Sequence, residues 1–242
     1  MDWIGDAWQD ITTPQPVPSS TAVLLTAAGV LLVLLVPAAW HVARHGLTIV
    51  HEAAHAGVAV LVGRRLSGIR VHSDTSGLTV SVGKPRGPGM VATVAAGYTG
   101  PALLGVGAAW LLSRGYAVAL LWILLVVLVL VLVQIRNWYG LWAVLVTGAL
   151  LVAVTVWGSA TVQSTAAYAM TWFLLLGAPR AVLEMQSERR RGRRRGVPDN
   201  SDAGLLGRLT HTPGALWVAI LLLVCLAALA LGAVWLIGLQ IP

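Results

Sequence analysis

The sequence predicts an all-α polytopic membrane protein of about seven transmembrane helices, with a short β-hairpin after the second helix. Of its 242 residues, 57% are apolar and only 10% are charged, whereas roughly a quarter of the residues in soluble domains carry a charge. The mean hydropathy is +0.82. The apolar residues also gather in stretches of about 20, the length of helix that crosses ~30 Å of hydrocarbon.

Charges and prolines set the ends of the predicted spans. Residues 1–19 contain three aspartates and no lysine or arginine, which is not the composition of a signal peptide. We therefore expect a partly disordered N-terminal tail over residues 1–19 and a single membrane-embedded domain over residues 20–238. The predicted spans are residues 20–38, 40–63, 90–112, 117–135, 138–157, 163–179 and 213–238.

Basic residues predict the orientation. With the N-terminus in the cytoplasm, 14 of the 16 lysines and arginines lie in the cytoplasmic loops 64–89, 135–138 and 180–212, so the positive-inside rule predicts an N-in, C-out protein. Basic loops of this kind attract the anionic lipids of a bilayer rather than nucleic acid. Fifteen arginines against one lysine suggest a GC-rich bacterial genome, and hence the bacterial cytoplasmic (inner) membrane.

Ionisable residues inside the second span form a His-Glu-x-x-His motif. His51 and His55 are four residues apart, so both imidazoles face one side of a helix and can bind one tetrahedral metal ion. Glu52, the one acidic residue within the predicted spans, can reach a water at that metal as general base. This pattern predicts a Zn²⁺ site. The alternative is a pair of interior histidines hydrogen-bonded to neighbouring helices.

The loop 64–86 alternates between apolar and polar residues in two short stretches. Ile69 and Val71 precede a polar turn, and Leu78, Val80 and Val82 follow it. Period-two alternation on both sides of a turn predicts a β-hairpin. The alternative is an amphipathic loop without strands.

A His-Glu-x-x-His helix, a β-prone loop and the Ala-Gly-rich segment 95–101 together resemble the site-2 protease family of intramembrane zinc metallopeptidases, and within it the bacterial M50B-like branch. The likeness extends over residues 40–217. It implies a zinc-dependent endopeptidase that cleaves transmembrane or membrane-proximal segments of membrane proteins, with His51 and His55 as ligands and Glu52 as the catalytic residue. An exposed hairpin edge could hold the unwound substrate by strand addition.

The third metal ligand is open at this stage. Well-studied site-2 proteases supply an aspartate from a Leu-Asp-Gly turn, and this sequence has no such turn. Asp202 is the better candidate because a carboxylate binds zinc more strongly than an amide, although it could instead cap a helix. Asn137 is the alternative ligand or a substrate-binding residue.

Two other functions are compatible with the same residues. The missing Leu-Asp-Gly turn would suit a catalytically inactive, protease-like membrane scaffold. Buried histidine and glutamate would also suit a metal or proton transporter, but the sequence shows no inverted repeat and no second intramembrane acid for a relay. The sequence does not define the substrate or the oligomeric state.

Overall fold

The computed structural model describes residues 3–238; residues 1, 2 and 239–242, which include the first two of the predicted tail, lie outside the described residues. The described chain is mostly helical with one small antiparallel sheet, and each predicted span falls on a helix. The elements in chain order are α1 (Trp3–Thr12), α2 (Ser20–Leu35), α3 (Pro37–Leu61), β1 (Arg65–Val71), β2 (Gly77–Val82), α4 (Pro88–Ser113), α5 (Ala117–Gln134), α6 (Trp138–Trp157), α7 (Ala160–Arg194), α8 (Asp202–Thr210) and α9 (Gly214–Ile237).

The predicted count of seven spans is not confirmed. Among the described residues, five helices are long and apolar enough to cross a membrane, namely α4, α5, α6, α7 and α9. Helix α2 has 16 residues, so it is about 24 Å long and cannot cross ~30 Å of hydrocarbon alone. It meets α3 at a bend of 105°, where Pro37 starts the new helix. Counted as one broken span, the two helices bring the total to six.

The start of α2 lies beside the C-terminal end of α9, and the predicted N-in, C-out orientation is not confirmed. Ser20 Oγ is 3.5 Å from the carbonyl oxygen of Ile237. The amide of Gln15 donates to the carbonyl of Gly115, in the turn between α4 and α5, at 2.8 Å. An even number of spans explains this arrangement, because it returns the chain to the side from which it started.

Within the predicted tail, residues 3–12 form α1. The side chain of Gln15 fixes the segment that follows. Its amide group donates to the carbonyl of Asp10 at 2.8 Å, and its Oε1 accepts from the amide of Val118 at 3.2 Å. This pair of contacts ties the tail to the start of α5.

The predicted hairpin is confirmed as the antiparallel pair β1–β2, with Val71 opposite Gly77. Strand β1 is covered on its second edge, where Ile69 forms a parallel bridge with Ile135. Among the described residues, β2 pairs with no strand other than β1. The sheet therefore presents one free edge, on β2.

Small residues allow α4 to approach its neighbours closely. A Cβ at Gly100 would overlap the side chain of Ala54 on α3, and one at Gly105 would lie 2.9 Å from the side chain of Leu175 on α7. Close backbone approach of this kind is how helices pack in lipid, where no hydrophobic effect drives them together. As a result α4 packs against α3, α7 and α9 and forms the wall on which the functional side chains converge.

Candidate metal centre

Helix α3 presents His51 and His55 towards each other, as their spacing predicts. Their ring centroids are 4.6 Å apart and the planes are nearly perpendicular. The two Nε2 atoms are separated by 3.0 Å. One helical face thus brings two ring nitrogens to a single point inside the bundle.

Asp202 approaches the same point from the start of α8. Its Oδ2 lies 3.3 Å from Nε2 of His51 and 3.3 Å from Nε2 of His55. Burial alone would raise the pKa of the Asp202 carboxyl, but the bonds to His51 and His55 outweigh it and hold that pKa below its ordinary value. Asp202 thus brings a carboxyl oxygen to the same point as the two ring nitrogens.

These three atoms have the spacing that a tetrahedral metal ion requires of its ligands. Tetrahedral zinc with bonds of about 2.0–2.1 Å places its ligands about 3.3 Å apart, and the separations here are 3.0, 3.3 and 3.3 Å. Nδ1 of His55 carries a proton, because it lies 2.7 Å from the carbonyl oxygen of Thr93 and a carbonyl can only accept a hydrogen bond. In the neutral ring, Nε2 of His55 then carries the lone pair, which is the form in which histidine binds metal. His51, His55 and Asp202 could form a metal site.

Gly97 on α4 makes room for the two rings. A Cβ at this position would lie 2.5 Å from Cε1 of His55 and 2.6 Å from Cε1 of His51. Carbon atoms in contact are normally 3.5–4.0 Å apart. The absence of a side chain at Gly97 is thus a requirement of the observed ring positions.

Glu52 is buried beside the rings, with 4% of its surface exposed. Its Oε2 accepts a hydrogen bond from Oγ1 of Thr79 on β2 at 2.6 Å. The backbone of Gly77 lies directly against the carboxyl group, since a Cβ there would be 2.6 Å from its Cδ. The hairpin therefore holds Glu52 in place, and one carboxylate oxygen is fixed by Thr79.

A polar cavity of about 220 Å³ opens next to these groups. It is bounded by α3, the hairpin turn, α4, α7 and the turn before α8. A polar cavity of this size has room for several waters. Its lining consists of Arg44, Leu47, Thr48, His51, Glu52, Thr75, Ser76, Gly77, Tyr98, Ala181, Met185, Glu188, Asn200, Ser201 and Asp202.

Asn137 lies at β1, where its amide continues the sheet. Its Nδ2 donates to the carbonyl of Val71 at 2.7 Å, and its Oδ1 accepts from the amide of Val71 at 3.2 Å. Both polar atoms of this side chain are thus engaged by the backbone of β1. Asn137 thus contacts the edge of β1 that faces away from β2. Of the two candidate ligands, Asp202 is the one that lies beside His51 and His55.

Four site residues were not found from the sequence. Thr79 bonds Glu52, Thr93 orients His55, Gly97 accommodates the rings, and Tyr98 packs edge-on against His51 with ring centroids 4.6 Å apart. Each acts through a contact between elements distant in sequence. The Ala-Gly-rich composition around Gly97 was the one available signal.

Comparison with known proteins identifies the family of this chain. The family model of Peptidase M50B-like proteins matches residues 24–232, from α2 to α9. No curated protein and no solved structure matches the chain significantly. The family match includes the motif helix α3 and the helix α8 that carries Asp202. By this match, over most of its length, the chain belongs to the Peptidase M50B-like family, a family of metallopeptidases.

Proposed function

We propose that this protein is a zinc-dependent intramembrane endopeptidase that cleaves transmembrane or membrane-proximal segments of other membrane proteins. The family membership supports a protease, and the several apolar helices support a membrane-protein substrate in a lipid environment. The observation that carries the zinc assignment is the convergence of His51, His55 and Asp202 at 3.0–3.3 Å.

Each residue of the site has a defined task in this proposal. Bound zinc supplies Lewis-acid activation of water and of the scissile carbonyl. His51, His55 and Asp202 hold the ion, and Thr93 fixes the tautomer of His55. Glu52 accepts the proton of the attacking water on its carboxylate and passes it to the leaving amine. Thr79 keeps that carboxylate oriented through the bond to Oε2.

The free edge of β2 suits an extended substrate. A peptide bond within a helix is shielded by its own hydrogen bonds, so the substrate must unwind before cleavage. Strand β2 begins at Gly77, against the carboxyl group of Glu52, and no other strand among the described residues pairs with its outer edge. A substrate strand added there would run past the proposed catalytic residue. Thr48 supports this edge by donating to the carbonyl of Thr75 at 2.8 Å.

The basic loops favour one orientation in the bacterial cytoplasmic membrane. The loops after α3, α5 and α7 contain most of the arginines. The hairpin after α3 contacts the turn after α5 and shares a cavity with the turn before α8, so this side faces the cytoplasm in our proposal. The described ends of the chain then lie on the opposite side. The metal site is closer to the cytoplasmic side, because Asp202 follows the basic loop directly.

The inactive scaffold and the transporter have less support than the protease. The hypothesis of an inactive scaffold rests on the missing Leu-Asp-Gly turn. However, Asp202 at the start of α8 places a carboxyl group beside both histidines. A transporter would need a second acid in relay with Glu52. Glu184 on α7 accepts hydrogen bonds from Trp40 and Arg180, and Glu188 on the same helix is exposed beside Arg44.

The proposal is tested by Glu52→Gln in full-length protein reconstituted with tagged single-span substrates whose transmembrane segments contain helix-breaking residues. We expect this variant to bind one zinc ion and to lose cleavage, because a neutral amide accepts no proton at neutral pH. Asp74→Asn, an equivalent change in the hairpin turn, is the matched control and should cleave normally. Retained cleavage by Glu52→Gln would remove Glu52 as the base, and wild-type protein without zinc would favour the scaffold.

A further inference from the structure

The turn before α8 delivers Asp202 to the histidines, and Asp199 organises this turn. Oδ1 of Asp199 accepts from the amide of Ser201 at 3.2 Å and from its hydroxyl at 2.6 Å. The hydroxyl of Ser201 then accepts from the amide of Gly204 at 3.2 Å and so caps α8. Asp202 is the first residue of that helix. The direction in which α8 starts, and with it the position of Asp202, therefore depends on Asp199.

Arg189 anchors Asp199 to the end of α7. Its Nε donates to Oδ2 of Asp199 at 2.8 Å, and its side chain is only 6% exposed. Its Nη1 donates to the side chain of Gln186 at 2.8 Å and lies 3.4 Å from the carbonyl oxygen of Gly214. The other arginines of the run, at positions 190, 191 and 193–195, are exposed. Arg189 is thus the buried member of an otherwise exposed basic run, and its side chain connects α7 to the turn before α8 and to the start of α9.

Two glycines leave space for this ion pair. A Cβ at Gly204 would lie 2.5 Å from Cγ of Asp199, and a Cβ at Gly214 would lie 2.5 Å from Nη2 of Arg189. The first turn of α8 and the first turn of α9 therefore both approach the pair closely. The close packing of two helices around the ion pair distinguishes it from an exposed surface ion pair, which contributes little to stability.

We propose that the Arg189–Asp199 ion pair is the positioning device for the third metal ligand, fixing the turn before α8 so that Asp202 reaches His51 and His55. This inference rests on the proposed zinc site. Metal ligands must be placed to within about 0.2 Å, and a turn that carries a ligand needs a rigid support to meet that tolerance. The ion pair gives this chain such a support in the absence of a Leu-Asp-Gly turn.

The test is the zinc affinity of detergent-solubilised full-length protein, measured by competition with a chromophoric chelator. Asp199→Asn and Arg189→Gln should each weaken zinc binding by about 10- to 100-fold, the usual effect of losing a residue that supports a metal ligand. The double variant should bind no more weakly than the weaker single variant, because the two residues act as one unit. Additive losses, or affinities equal to wild type, would overturn the proposal.

Two matched controls separate this role from general damage. Asp74 makes the same pair of bonds to Ser76, at 3.0 and 2.6 Å, but in the hairpin turn, so Asp74→Asn should leave zinc affinity unchanged. Arg190→Gln changes the exposed neighbour of Arg189 and should also have no effect. If Arg189→Gln does not fold, Arg189→Lys provides the measurement, since a lysine cannot reach all three partners and should still weaken binding.

The failure of this inference is distinguishable from failure of the zinc site itself. Asp202→Ala and His51→Ala report on the site alone. If they weaken zinc binding while the Asp199 and Arg189 variants do not, the positioning role is wrong and the site stands. If Asp202→Ala binds zinc as tightly as the wild type, the proposed ligand set is wrong, and the positioning role is wrong with it.

Discussion

Gly97→Ala should disrupt metal binding although it favours the helix. Alanine is better than glycine inside a helix by about 1 kcal/mol, so this substitution stabilises α4 wherever space permits. Here the new methyl carbon would lie 2.5–2.6 Å from Cε1 of both His55 and His51, about 1 Å closer than carbon atoms normally approach. The rings or α4 must move by a similar distance. That movement is several times the tolerance of about 0.2 Å for a metal ligand.

The assay is zinc affinity together with thermal unfolding of the purified protein. We expect Gly97→Ala to weaken zinc binding by at least 100-fold, because both imidazoles are displaced at once and the loss of a single support already costs about 10- to 100-fold. Gly107→Ala on the same helix is the control, since a Cβ there meets nothing within 4 Å, and it should bind zinc normally. Wild-type affinity in Gly97→Ala would refute the observed ring positions.

Two further predictions concern the supports of the site. Thr79→Val should retain zinc but reduce cleavage by about 10-fold or more. The reason is that the carboxylate of Glu52 loses its 2.6 Å bond from Thr79, a charge-assisted interaction of about 1.5–3 kcal/mol. Single-turnover cleavage measures the effect, and an unchanged rate would contradict the proposed orienting role of Thr79. The pKa of Asp199 lies below its ordinary value because bonds from Ser201 and Arg189 outweigh the effect of burial. Its contribution to stability is therefore present above pH ~4 and is lost as the pH falls through the lowered pKa. The difference in Tm between wild type and Asp199→Asn should accordingly be constant near neutral pH and shrink in acid. A difference that does not shrink as the pH falls would contradict the ion pair.

The sequence predicts the local part of the site and the structure supplies the rest. His51, Glu52 and His55 follow from a spacing within one helix, which determines their relative positions before any packing is known. The hairpin follows from a period-two pattern in the same way. Asp202 was one of two candidates, because its approach depends on how α8 packs and no local pattern in the sequence specifies that packing. Asn137 has a comparable sequence position but is engaged by the backbone of Val71.

The span count is not confirmed because of one short helix. Hydropathy marks residues 20–38 and 40–63 as two spans, yet α2 is too short to cross the bilayer and ends before Pro37. Whether two consecutive helices form a hairpin or one broken span depends on the bend between them and on tertiary contacts. The contact of Ser20 with Ile237 favours one broken span, because it places the start of α2 beside the end of α9.

The zinc site is tested most directly by an experimental structure of the zinc-loaded protein, with anomalous scattering collected at the zinc edge. Our account predicts one strong peak within bonding distance of Nε2 of His51, Nε2 of His55 and Oδ2 of Asp202. A peak elsewhere in the bundle, or histidine rings that point apart in a protein shown to contain zinc, would contradict it.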